Sequence, residues 1–557
     1  MSIFRRSVNT RTDWRKAARS LSRSLEGVHG RVAFVTDDED HPAVAWLVHE
    51  FPTVVLVGPE STRRPGLRTV SAATLQDETA ALVDLGGLSA VVDARSSTDQ
   101  ERSLRWQWLF YHVQQGGQYV TEHTDGAAAW WTDEGLLGEA NRSPRDFTES
   151  ARSVESVDES VGVVRMRKGR QHVFKVKDEN ANRVVPARLP LARLAVLGTE
   201  PGGTFNGSTT IVEHGSEPRL PSQKWNYHHS HVRKVSGGVT IRRDGLTLIG
   251  DTVLPSSFRH ARARSVSNPQ LVSFNQEFGR AREHGPTRRL EGSFYDLSST
   301  MSGHFGHTMT ETVSKLWGWD RAKEADPSLR AIYRVPHAEF SPTVERALFN
   351  AFGIDDADIE WVHDDVQVES YVWSSYLWQN LTRYHFHPLV KDTWSRLREG
   401  LVEPRPVDRR IFVSRKSTEA NRACLNLDEV EAHFSARGFE IVYPETLPFA
   451  EQASTFGSAR IVAGFAGSGM FSMMFAQRLD GVLVLSHDSY TARNEFLYAT
   501  ALADELHYSW SRSEIQHGSD FSTEAFHSPW AFDFAAHGAD LDRSIDRMHE
   551  LADRQRS

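Results

Sequence analysis

A chain of 557 residues, 39% hydrophobic and 25% charged, has a globular balance and the length of about three domains. Its net charge of −9, from 64 basic and 73 acidic residues, argues against nucleic acid as the main partner, because phosphate binding needs a concentrated basic surface. A single cysteine, Cys424, excludes an internal disulfide and a cysteine-built zinc site, and no apolar run approaches the roughly 20 residues that span a bilayer.

Residues 1–29 are basic and serine-rich. Arg5, Arg6, Arg11, Arg15, Lys16, Arg19 and Arg23 interleave with Phe4, Trp14 and Leu21, with no apolar core of a secretion signal. The stretch reads either as a solvated tail or as a peripheral helix touching anionic lipid. A cytoplasmic protein is expected, with membrane contact at most through this tail.

From Gly30 to about residue 140 short apolar runs alternate with helical stretches. RVAFVTDD, TVVLVGPE and LSAVVDARSS read as strands, HPAVAWLVHEF and ATLQDETAALVDL as helices, and LRWQWLFYHVQQGGQYVTEH as a helix, a Gly-Gly turn and a strand. That alternation predicts a small Rossmann-like domain with a parallel sheet. Its outline resembles class I methyltransferases, but RVAFVTDDEDHP has no glycine after the strand to admit a cofactor phosphate or ribose. An accessory or docking domain is therefore expected rather than a methyltransferase.

Residues 141–165, rich in Ser, Glu, Arg and Asp, read as a linker. A β-rich patch follows, with a hairpin turn at Arg243-Asp244-Gly245. From about residue 300 strands (AIYRVP, RRIFVSRK, FEIVYPE, ARIVAGF, GVLVLSH) again alternate with helices, which predicts an open parallel sheet covered on both faces. The domains are read as a lobe over 166–395 and a second lobe with a C-terminal helix over 396–557.

Three constellations carry chemistry. In GHFGHTMTETVSKLW a helix starting near Gly306 would put His307 and Glu311 on one face, with His304 a turn earlier; an imidazole and a carboxylate there suit hydroxyl activation or sugar binding. In RRIFVSRKSTEANRACLNLDEVEAHF a strand ends in Arg415 and Lys416, and the loop beyond carries Arg422 and Asn426, where parallel sheets bind ligands. Arg415 and Arg422 could neutralise a diphosphate, or Arg422 could pair with Glu429 or Glu431. In RIVAGFAGSGMFSMMFA a strand runs through Gly464, Gly467, Ser468 and Gly469 into a helix whose free N–H groups could meet an anion.

In this order the three resemble glycosyltransferase family 61 over about Val232 to Ser509. His307 and Glu311 match its His and acid. Ser414, Arg415, Arg422 and Asn426 match its Ser-Arg strand end with a following Arg and Asn. Glu445, Phe449, Glu451 and Gln452 match its Glu, Phe, Glu-Gln stretch, and Gly464, Gly467 and Gly469 its glycine turn. That turn commonly carries a His and an Asn where this chain has Ala466 and Ser472, and an Ala where it has Ser468.

The resemblance implies a GT-B-like α/β fold, two facing Rossmann-like lobes, with the N-terminal domain added. It implies an inverting, metal-independent transfer of a sugar from a nucleotide sugar to a hydroxyl acceptor such as a glycan. The nucleotide sugar is then a co-substrate, with no cofactor and no metal. Glu311 is then the expected base, with His307 as alternative base or acceptor ligand; Arg415 and Arg422 hold the diphosphate; Glu445 and Glu451 touch ribose or cap helices. The stretch SYLWQNLTRYHFHP offers Trp378, Tyr384 and His385 as an acceptor wall with His304, or else a core strand, and His385-x-His387 lacks an evident carboxylate to complete a metal site. Cell-surface polysaccharide or glycoconjugate synthesis is the expected setting. The substitutions at Ala466 and Ser472 leave a catalytically silent nucleotide-sugar-binding scaffold as the alternative.

Overall fold

A computed structural model of the chain describes residues 30–122 and 145–554, apart from 39, 52, 61–65, 96, 161–162, 216–218, 382 and 417–420. The basic tail of residues 1–29 lies outside the described residues. The described residues form two compact units. The first runs to Leu194 and takes in Thr247–Pro255 and Arg262–Gly285; the second comprises Ala195–Leu246, Ser256–Ala261 and Pro286 onward.

In the first unit strands Val32–Val35, Val54–Gly58, Thr69–Ser71, Leu88–Asp93 and Val113–Glu122 pair in parallel. Alternate faces of the first three long strands bury entirely (Val32, Phe34 and Val92 on one, Ala33, Val35 and Val91 on the other), which is why these runs lack polar alternation. Thr74 and Thr98 open the helices Leu75–Leu85 and Asp99–Leu109 with reciprocal caps to Asp77 and Glu101. Two expectations change here. Gly116 and Gly117 lie inside the Val113–Glu122 strand rather than in a turn. Gly116 has φ 79°, and a β-carbon at Gly117 would meet the Ser89 carbonyl oxygen at 2.5 Å, so the pair makes an irregularity in the pairing with Leu88–Asp93. Residues read as a linker hold the helix Arg145–Arg152 and the strand Val154–Ser160, which joins Val163–Lys168 as an antiparallel extension of the sheet. The alternation of Val154, Val157 and the charged residues between them is that of a one-face-buried edge hairpin.

The second unit holds two lobes. In one, Arg288–Asp296 lies parallel to both Val366–Ser374 and Arg330–Arg334, Arg330–Arg334 is parallel to Ile359–Val362, and Ser230–Ile241 closes antiparallel on Val366–Ser374. At the end of Ser230–Ile241 the chain turns through Asp244 (φ 54°) and Gly245 (φ 65°), the two left-handed positions of a tight hairpin turn. In the other lobe six strands are all parallel, ordered Thr210–His214, Ala503–Ser511, Leu479–His487, Ala459–Phe465, Arg409–Val413, Glu440–Val442. Both faces are covered: Val413, Val462 and Val482 pack on one side, Phe412, Ile461 and Leu483 on the other beneath the helix Phe534–Arg554. The edge strand Thr210–His214 comes from the segment assigned to the first lobe, so the 395/396 boundary divides the lobes in sequence but not in space.

Candidate active site

The segment after Gly303 begins as a helix at Phe305–His307, widens into a π-helical turn over Thr308–Thr312, tightens to 3₁₀ over Val313–Gly318 and resumes as Trp319–Ala325. A π-turn inside a helix is a costly geometry that recurs at functional sites. Here it carries Glu311, whose side chain is 4% exposed. Its Oε1 accepts a hydrogen bond from His307 Nδ1 at 2.7 Å and lies 2.6 Å from Arg259 Nε. Burial opposes ionisation of Glu311, but the hydrogen bond and charge of His307, with Arg259 and His260, outweigh it and hold the carboxyl below its ordinary value. His304 sits before this helix with its ring 4.8 Å from that of His307; burial, then His307, push its pKa down.

In the facing lobe the strand Arg409–Val413 delivers Arg415, and the loop beyond delivers Arg422, to the glycine turn that ends Ala459–Phe465. Arg415 donates through Nη2 to the Ala466 carbonyl at 2.7 Å and through Nη1 to the Asn421 carbonyl at 2.9 Å. Arg422 lies over the rings of Tyr490 (4.9 Å) and Phe526 (5.5 Å), and its backbone is left-handed, φ 64°. Neither guanidinium is ion-paired among the described residues, and burial and the Arg422 charge push the Arg415 pKa down to about 10. Gly467, at φ 140° and ψ −178°, lets both approach: a β-carbon there would strike the Arg415 guanidinium and lie 3.1 Å from Arg422 Nη2.

The two halves meet. A β-carbon at Gly306, which opens the His–Glu helix, would lie 2.9 Å from Ser468 Cβ in the glycine turn. Tyr498 donates to the Met309 carbonyl at 3.0 Å, so the lobes are hydrogen-bonded directly behind the site. The glycine turn that the two arginines approach and the helix that carries His307 and Glu311 are therefore packed against each other.

Other expected residues have different positions. Glu445 is at the rim, accepting from the Lys416 amide at 2.8 Å and acting electrostatically on Arg415. Gly464 permits close strand packing, since a β-carbon would meet the Val413 carbonyl oxygen at 2.6 Å, whereas Gly469 has ordinary room at 3.4 Å from Val413 Cγ1. Asn426 is not in the site: its amide donates to the Phe532 carbonyl and to Glu429 and accepts from the Phe532 amide, each at 2.9 Å, which fixes the C-terminal segment. Glu451 is engaged by both Nη atoms of Arg405. Gln452 is buried and donates to Ser472 Oγ at 2.7 Å. Arg422 does not pair with Glu429 or Glu431; Glu431 accepts from Ser414 and Tyr443 instead.

The acceptor wall also needs correction. Trp378 is 4% exposed among Phe386, Trp394 and Tyr498 and donates to Asn494 Oδ1, so its ring is core. Tyr384 donates to the Thr491 carbonyl at 3.3 Å. His385 is 6% exposed and bonded through Nδ1 to the Arg383 carbonyl at 2.8 Å. His387 has both nitrogens engaged, by the Pro201 carbonyl and the Leu389 amide.

Four residues here carry no sequence signal. Arg259 and His260 reach Glu311 from a separate loop; burial first, then Arg259, push His260 down to about 4. Glu495, fully buried, accepts from the Gly467 amide at 2.6 Å and from the Tyr490 hydroxyl at 3.1 Å, so one amide of the turn is already spent. His487, 1% exposed at the end of Leu479–His487, has neither nitrogen hydrogen-bonded, and burial, then Arg422, push it down to about 4.

Two α/β lobes thus bring guanidiniums without ion-pair partners on one side near an imidazole–carboxylate pair on the other. Residues 305–483, which hold His307, Glu311, Arg415, Arg422 and the glycine turn, match the family model Glycosyltransferase 61. No curated protein matches the chain in sequence. Among solved structures it is similar to a MycE methyltransferase from the mycinamycin biosynthetic pathway in complex with Mg, SAH and mycinamycin VI (18% identity, 27% of this chain, 49% of that one, TM-score 0.23). It is also similar to the S-adenosylmethionine-dependent methyltransferase SibL (14%, 28% and 55%, 0.19) and to human N-acetylserotonin methyltransferase (9%, 28% and 53%, 0.20). The chain spans about half the length of each.

In the first unit the carboxyl end of Leu88–Asp93, where a parallel sheet would hold a ligand, is closed by its own charges. Asp93 accepts from Arg105 Nε and Nη2 and from the Tyr119 hydroxyl, and Glu78 accepts from Arg105 Nη1 at 2.6 Å. Among the described residues no helix is long and apolar enough to cross a membrane.

Proposed function

We propose that the protein is an inverting, metal-independent glycosyltransferase that moves a sugar from a nucleotide sugar to a hydroxyl acceptor, in cell-surface polysaccharide or glycoconjugate assembly. The observation that carries this reading is the convergence of Arg415 and Arg422, without carboxylate partners, on a glycine turn that touches the His307–Glu311 helix.

The geometry favours His307 over Glu311 as the base. Glu311 is held ionised and its Oε1 accepts from His307 Nδ1, which leaves the lone pair on Nε2. The His307 side chain is 14% exposed against 4% for Glu311, so the imidazole is the member nearer the cleft. His307 Nε2 would take the acceptor proton as that oxygen forms its bond to the anomeric carbon. The bond from this carbon to the diphosphate breaks on the opposite face, and its electron pair leaves on the diphosphate oxygen, stabilised by Arg415 and Arg422. Glu311 orients the ring and stabilises the imidazolium, as the acid of a catalytic triad does.

Thermal denaturation with a panel of nucleotide sugars, followed by turnover assays, tests the proposal. The donor should stabilise the wild type, Arg415→Ala should lose that stabilisation, and His307→Gln should keep it while turnover falls about 10²–10⁴-fold. Stabilisation by no nucleotide sugar overturns the reading. Donor binding without turnover on any acceptor would leave the silent scaffold.

A further inference from the structure

The loop after the last strand, Ala503–Ser511, holds two exposed large apolar side chains, Ile515 (43%) and Phe521 (65%). The loop is tied down. Gln516 donates to Asp488 Oδ1 at 2.9 Å and Ser513 Oγ at 2.7 Å. His517 bridges the Ser489 carbonyl through Nε2 and the Ser522 amide through Nδ1. Phe521 is therefore presented to solvent by an anchored backbone. Its ring lies 5.3 Å from His517 and 5.8 Å from Phe526. Phe526 lies 5.2 Å from Tyr490, and these two rings carry the Arg422 guanidinium. A continuous aromatic strip thus runs from the cationic turn at Gly467 out to an exposed ring.

We infer that Phe521 is the stacking platform for the base of a nucleoside diphosphate whose phosphates lie on Arg415 and Arg422. The inference rests on the proposed donor site and deepens it. A nucleoside diphosphate is anionic at one end and presents a flat, weakly hydrated ring at the other, and the protein offers the complementary pair in that order at the carboxyl end of the parallel sheet. Stacking on an aromatic ring is tolerant of base identity, so Phe521 supplies affinity for a nucleotide over bare pyrophosphate rather than discrimination among bases.

Calorimetric titration of the full chain with UDP, GDP, ADP, CDP and inorganic pyrophosphate tests this. Phe521→Ser should weaken the best-bound nucleoside diphosphate by about tenfold or more and leave pyrophosphate within about twofold, and Phe521→Trp should restore the loss. Phe521 is on the surface, so both variants should unfold at the wild-type temperature. Unchanged affinity for every nucleotide in Phe521→Ser overturns the inference, as does an equal loss for pyrophosphate. If the wild type binds neither nucleotides nor pyrophosphate, the donor-site reading itself falls, and the two failures are distinguishable.

Discussion

Gly467→Ala separates the backbone demand of the cleft from its charge. At φ 140° and ψ −178° the residue occupies a region essentially reserved for glycine, so an alanine costs about 1–3 kcal/mol of folding free energy. The added carbon would strike the end of the Arg415 side chain, which is flexible, so relief comes by displacing the guanidinium rather than the strand. Displacement breaks the 2.7 Å bond to the Ala466 carbonyl and moves one of two cations from the turn. A guanidinium moved off the turn forfeits its charge-assisted hydrogen bond to a bound anion, worth about 1.5–3 kcal/mol or roughly 10–100-fold in affinity. Differential scanning calorimetry should show a fall of several degrees, since about 1 kcal/mol moves a domain of this class by 2–4 °C. Pyrophosphate titration should show the affinity loss. A Gly467→Ala variant that binds pyrophosphate as the wild type does, at an unchanged Tm, would refute the argument that this glycine exists to admit the arginines.

Two further outcomes follow from buried charge. His487 has a folded pKa near 4 against 6.5 unfolded, so its contribution is fully present above pH 6.5 and is lost as pH falls from there toward 4. His487→Phe should flatten the wild-type fall in the urea midpoint across that window, by up to about 1.4 kcal/mol per pH unit, and leave the midpoint at pH 8 little changed. Arg105→Met would leave Asp93 and Glu78 buried without their shared cation, at a cost of about 3–5 kcal/mol, read as a lower urea midpoint in the fluorescence of the buried Trp106.

Much of the fold was legible because strands buried on both faces have a local signature. RVAFVTDD, ARIVAGF and GVLVLSH are continuous apolar runs, and each is a parallel strand. Gly116-Gly117 was misread because glycine marks both turns and strand irregularities, and only the neighbour, the Ser89 backbone, decides. The core of the site was legible where spacing along one element fixes a contact, as for His307 and Glu311 four residues apart. It failed where the partner is distant in sequence. Arg259 and His260 reach Glu311 from a separate loop, and Asn426, which looked like a ligand, is consumed by Phe532 more than 100 positions later. Trp378 belongs to the same class: polar and aromatic neighbours in SYLWQNLTRYHFHP suggested a sugar wall, but Asn494 and Tyr498 claim both its N–H and its ring.

The substitutions at Ala466 and Ser472 gain a different sense from this packing. Ser472 is fully buried and bonded to Gln452, so its position faces the interior of the lobe and not the ligand. At Ala466 the backbone carbonyl, not a side chain, holds Arg415. The acid at the turn is Glu495, whose carboxylate takes the Gly467 amide and whose pKa burial pushes up. Burial first, and then the charge of Arg422 beside it, depress the pKa of Arg415, and neither guanidinium is ion-paired among the described residues. Burial penalises the nearby acid as well, and the Arg422 charge offsets part of that penalty. In the proposed donor site a bound dianion would relieve the arginines directly, whereas in the structural ion cluster Arg105–Asp93–Glu78 every charge already has its partner.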